Sequence, residues 1–164
     1  MPRARVLPLL SLLVCAASSA PVGGSAQEEN IIPAAVREAL DKAEKVTLLS
    51  LDPDEKAGVG APVQFHDWKV LGQTEVKDKA ARAKLVAALV EGASKKGLEP
   101  AKCFNPRHGL RLTHQGKTVE LVICFECAQV RVYGAGAERF LISRSPQPAL
   151  DKILKDAGVP LPVN

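Results

Sequence analysis

Leu110 and Leu112 alternate with Arg111 and Thr113, and Val119, Leu121, Ile123 and Phe125 alternate in the same way after the pair Gln115-Gly116. Period-two patterning on both sides of a two-residue turn signal predicts a β-hairpin buried on one face. Further along, Val130 and Val132 occupy even positions, so the apolar phase changes after Phe125. A strand cannot exchange its buried face without an irregularity, so a bulge or break is expected between Phe125 and Val130. Cys124-Phe125-Glu126-Cys127 lies where that irregularity falls.

If the turn centres on Gln115-Gly116, facing residues have numbers that sum to about 231. That register places Cys127 near Cys103, and Cys124 near Arg107 and His108. One neighbourhood should then hold Cys103, Arg107, His108, Cys124 and Cys127. Three chemistries compete for it. Two cysteines three apart on a regular strand stand roughly 10 Å apart, beyond the reach of about 7 Å for a disulfide. A bridge is therefore expected from Cys103 to Cys127 or Cys124, leaving one thiol over. As a staple, it makes the change Cys103→Ser cost roughly 2–5 kcal/mol. Alternatively, Cys103, His108, Cys124 and Cys127 offer ligand types suited to tetrahedral zinc, the one cofactor the sequence suggests. The third reading is buried cysteines that pack as small hydrophobes. Dithiol exchange is disfavoured by the sequence, because reactive C-x-x-C motifs open helices and the flanks here are strand-like.

Arg107 and Glu126 are candidates for an anion site or a structural ion pair. His66-Asp67 resembles a general-base pair, but neighbours on one strand point to opposite faces, so both are expected at the surface. His114, at the hairpin turn, is expected in solvent. No catalytic residues are assigned: no Ser/His/Asp order, phosphate loop or paired-carboxylate spacing stands out.

The remaining chain reads as scaffold. Pro33 to Glu44 has helical spacing with Pro33 in the first turn. Val46 to Leu51 is a strand ended by Asp52-Pro53, and Asp54 to Val63 is a loop. Phe65 to Val76 reads as a second strand with a bend or bulge at Gly72. Asp78 caps a helix carrying Leu85 and Leu89, ended by Gly92 or Gly97. Arg139 to Ser143 is a strand, and Ser145 caps a last helix through Leu150 and Leu154. The order predicts an α+β fold: a two-layer sandwich with a mainly antiparallel sheet of four to five strands and helices on one face.

Residues 1–26 have the parts of a secretory signal peptide: Arg3 and Arg5, a short apolar stretch from Val6 to Ala17, and small residues up to Ala26. The apolar stretch is shorter than the roughly 20 residues needed to span a bilayer. Cys15 raises lipidation, which Val14 disfavours. Residues 27–164 then form a single domain. The chain has 22 Lys and Arg against 18 Asp and Glu, and two of the arginines lie in the leader. Without a dense basic run there is no footprint for nucleic acid.

Cys103-Phe104-Asn105-Pro106-Arg107-His108-Gly109 and Val122-Ile123-Cys124-Phe125-Glu126-Cys127 resemble the signatures of a family of uncharacterised bacterial proteins, often exported. The resemblance runs from about Trp68 to Tyr133. It implies a secreted or periplasmic envelope protein and brings no activity, substrate or cofactor. The expected function is a non-catalytic binding or structural module with a cysteine-stapled hairpin, meeting an envelope protein or small ligand without inserting in the membrane. The alternative is a metal-binding or thiol-active protein using Cys103, His108, Cys124 and Cys127.

Overall fold

The computed structural model describes Met1 and residues 32–56, 63–136 and 139–162. The expected leader, the lipidation question at Cys15 and most of the expected 54–63 loop lie outside the described residues. The fold is α+β, and the sheet has seven strands where four to five were expected. The additional strands come from chain reversals that carry no glycine, as detailed below.

Helix α1 (Ala34–Lys42) follows Pro33, whose carbonyl accepts from Arg37 N at 2.9 Å. It buries Val36, Ala39 and Leu40. Strand β1 (Lys45–Lys56) runs past the expected stop at Asp52-Pro53. Proline lacks the ladder donor, and the pairing with the next long strand is irregular between Leu51 and Lys56, where Pro53 falls. The expected single strand from Phe65 to Val76 is a tight hairpin, β2 (Gln64–Phe65) and β3 (Trp68–Glu75). Ser50 pairs with Gly72 but Leu51 with Val70, so a bulge lies beside Gly72.

Helix α2 (Lys79–Ala93) is capped by Asp78, whose Oδ1 accepts from Ala81 N at 2.7 Å. Gly92 does not end it. A Cβ there would sit 2.4 Å from Pro146 Cγ, so this glycine permits close approach to the start of α3. Strands β4 (His108–His114), β5 (Lys117–Cys124), β6 (Gln129–Tyr133) and β7 (Arg139–Leu141) form an antiparallel meander. Helix α3 (Gln147–Asp156) begins after Pro146 without a side-chain cap. Ser145, expected as its cap, instead meets Ser143 Oγ at 2.9 Å.

The strand order is β2-β3-β1-β4-β5-β6-β7, every pairing antiparallel, in a curled sheet. Leu110 and Leu112 of β4 and Val119, Leu121 and Ile123 of β5 share one core with buried residues of all three helices, including Leu40, Leu85 and Leu150. Each such side chain, once buried, stabilises the fold by about 1.5–3 kcal/mol. The opposite face carries a smaller cluster of Leu49, Leu51, Phe65, Trp68 and Val122, with Phe104 and Tyr133 against it. No helix among the described residues is long and apolar enough to cross a membrane.

Candidate functional site

Gln115 and Gly116 both take positive φ, 48° and 74°, which suits a two-residue turn matched to strand twist. Pairing runs from His114↔Lys117 to His108↔Ile123, every pair summing to 231 as the sequence predicts. At Cys124 the second strand stops. Residues 125–128 reverse the chain, with Ala128 N donating to Phe125 O at 3.3 Å, and Val130 returns to pair with Ile123. The phase change is thus a complete reversal between two strands. The expected long strand is two.

That reversal decides the sulfur chemistry. On a turn, the Cα atoms of Cys124 and Cys127 are 5.3 Å apart, and their sulfurs are bonded at 2.16 Å. The expected bridge from Cys103 to Cys127 or Cys124 is therefore not the one formed; the assumption of a regular strand through the C-x-x-C does not hold. Cys103 is a free thiol, exposed, with its Sγ 3.5 Å from Cys127 Sγ. Cys124 and Cys127 have no exposed surface. Two contacts fix the approach: Ala101 N donates to Cys127 O at 3.1 Å, and Gln129 Nε2 donates to Ala101 O at 2.6 Å. Cys127 N also donates to Cys124 Sγ at 3.2 Å.

His108 does not join this cluster. It pairs with Ile123, the residue before Cys124, and successive strand residues face opposite sides of the sheet. Its fully buried ring lies on the helix side. There Nε2 is 2.8 Å from Asp151 Oδ1 of α3, and the ring meets Phe125 edge-on at 5.4 Å. The proposed zinc set of Cys103, His108, Cys124 and Cys127 is therefore divided between two faces. Among the described residues, no group of three or more His, Cys, Asp or Glu side chains is arranged to hold a metal ion.

Glu126 projects from the reversal between two guanidiniums, 3.7 Å from Arg107 and 3.4 Å from Arg144. Arg107 is mostly buried and Glu126 is exposed. A carboxylate already faces the Arg107 charge that was considered for an anion. An ion pair with one exposed member contributes at most about 1 kcal/mol.

A polar group on the outer face went unread in the sequence. His66 is no surface strand residue; it occupies the β2–β3 turn at φ 56°, with its side chain mostly buried. Its ring stacks on Tyr133 at 3.5 Å, and Nε2 is 3.0 Å from Glu120 Oε2. Arg111 Nε donates to the other oxygen of Glu120. Arg111 and Glu120 also sum to 231, so the hairpin register could have paired them; His66 was expected at the surface, and nothing in the sequence joined it to Glu120 or Tyr133. Asp67 is exposed, as expected. His114 is half-buried, 3.4 Å from Glu44 Oε1.

Beside the cysteines, a cleft of about 520 Å³ is walled by Trp68, Phe104, Lys102, Arg131, Asp54 and Asp67. The Arg131 guanidinium lies 3.9 Å over the Phe104 ring. No protein-family model matches the chain. No curated protein and no solved structure matches it either.

Proposed function

We propose that this chain is an exported bacterial envelope protein whose chemistry is thiol–disulfide exchange at Cys103, Cys124 and Cys127. One observation carries the reading: an exposed thiol touches a buried, bonded sulfur, Cys103 Sγ to Cys127 Sγ at 3.5 Å. Exchange proceeds by attack of a thiolate on a disulfide sulfur through a mixed disulfide, and these are the reactants at contact distance. The leader-like residues 1–26 support export, and an oxidising compartment would preserve the bond. The resemblance of the two cysteine segments to an exported bacterial family points the same way. The sharing of one core by all three helices supports a two-layer sandwich as the scaffold.

The test is reduction of glutathione disulfide by the reduced protein, with Cys15 changed to Ser so that only the three clustered cysteines report. The protein should react faster than free cysteine, and Cys103→Ser should abolish the advantage. Equal rates for Cys103→Ser and its parent would refute the assignment.

The cleft favours a second reading, a binding module without covalent chemistry. Its aromatic floor carries cations at Lys102 and Arg131 and carboxylates at Asp54 and Asp67, a lining for a small zwitterionic ligand. Trp68 fluorescence should then respond to such a ligand in Cys103→Ser as strongly as in wild type; no response in either protein would refute it.

A further inference from the structure

The three sulfurs are not equivalent, and we infer that they act in a fixed order: Cys103 meets the partner, Cys127 is the pivot, and Cys124 is the buried nucleophile that closes the final bond. The inference rests on the thiol-exchange reading and adds direction to it.

Access selects the first member. Cys103 is exposed while Cys124 and Cys127 have no exposed surface, so a disulfide-bearing partner of any size meets Cys103 first. Contact selects the second. Cys127 Sγ is bonded to Cys124 and lies 3.5 Å from Cys103, so it touches both other sulfurs. The third position follows from the Cys127 N–H that points at Cys124 Sγ, 3.2 Å away. Hydrogen bonds to an ionised acceptor are stronger than those to a neutral one, so this donor favours charge on Cys124 whenever its bond is open.

From the fully reduced protein, the steps balance as three exchanges. The Cys103 thiolate attacks one sulfur of a partner disulfide, R–S–S–R. It forms Cys103–S–S–R and releases RS⁻, which takes a proton from water. The Cys127 thiolate then attacks Cys103 Sγ, breaking the mixed bond, forming Cys103–Cys127 and releasing the second RS⁻. The Cys124 thiolate finally attacks Cys127 Sγ, forming Cys124–Cys127 and returning Cys103 as a thiolate. One partner disulfide becomes two thiols, and two protein thiols become one disulfide. The described structure is the end of this sequence, with Cys103 free beside the closed pair.

The order is tested by treating reduced protein, in the Cys15→Ser background, with glutathione disulfide, quenching with acid and mapping bonds by mass spectrometry. Wild type should show a transient glutathione adduct on Cys103 only, then Cys124–Cys127. Cys127→Ser removes the neighbouring thiol, and its Cys103 adduct should outlive that of wild type by about tenfold or more, because intramolecular contact gives high effective molarity. Cys124→Ser should stop at Cys103–Cys127. An adduct in Cys127→Ser that clears as fast as in wild type, or a Cys124→Ser protein without the Cys103–Cys127 bond, overturns the order. Failure of Cys103 to form any adduct, although iodoacetamide labels it, overturns instead the exchange reading beneath it. Circular dichroism of each variant confirms that a negative result comes from folded protein.

Discussion

Changing Cys103 to Ser separates the observed bridge from the one expected across the hairpin. Loop-closure entropy sets the scale for each. A bridge between Cys124 and Cys127 spans a sequence separation of 3, and the chain-entropy relation gives about 2 kcal/mol for so short a loop. A bridge between Cys103 and Cys127 would span a separation of 24, for which the same relation gives about 3.5 kcal/mol. Cys103 is exposed and unbridged, so Cys103→Ser should lie within about 0.5 kcal/mol of wild type under non-reducing conditions. Reductant should then lower wild type and Cys103→Ser alike, each by about 2 kcal/mol. Urea denaturation followed by Trp68 fluorescence, with and without a phosphine reductant, measures all four states. A Cys103→Ser protein that has already lost about 3.5 kcal/mol and no longer responds to reductant would show that the bridge involves Cys103, and the reasoning would fail.

Gly109→Ala should destabilise by about 1–3 kcal/mol through overpacking. Its Cβ would meet two carbons of the buried Phe65 ring at 2.8 Å, and a thermal melt unchanged from wild type would show that Phe65 can yield. Asp151→Ala leaves the buried His108 Nε2 without its partner, at a cost of about 1–3 kcal/mol. Alanine is the best helix former, so a loss in chemical denaturation reports the ring rather than α3, and a neutral result would dissociate the pair from stability. Asp78→Ala removes the acceptor for Ala81 N and should cost about 1 kcal/mol, readable as a lower urea midpoint. On α1, the hydrogen bond from Lys42 followed by its charge lowers the Glu38 pKa from 4.5. The resulting stability is present above that ordinary value and is lost as pH falls through the lowered one. Glu38→Gln should therefore be slightly less stable at neutral pH and converge with wild type in acid; an undiminished gap in acid would contradict the assignment.

The hairpin register was legible because Gln115-Gly116 announces its turn, and one correct turn fixes every pair from His108↔Ile123 onward. The reversals at His66-Asp67 and at 125–128 were not, because neither contains glycine. In each, a residue with a side chain adopts positive φ, His66 at 56° and Ala128 at 51°, conformations that composition gives no reason to expect. The cost of that silence is specific. The phase change after Phe125 was visible, but phase alone does not distinguish an inserted residue from a return of the chain. Reading the former kept Cys124 and Cys127 apart and sent the disulfide to Cys103. It also left His108 near the sulfurs, although its pairing beside Ile123 places it on the other side of the sheet. The α3 residue that takes up His108, Asp151, lies 43 positions away, and no local pattern connects the two. The pairing of Arg107 with Glu126 across the cysteine segments was within reach of the same register.

The four-residue reversal is held at its ends by backbone, Cys124 to Gln129 and Ile123 to Val130, before any sulfur is considered. Severing the covalent link therefore frees only a tiny ring, while the surrounding ladder keeps its shape. Such a link adds little to the hold of the fold, about 2 kcal/mol, so on the exchange reading proposed above its opening would not require the molecule to melt.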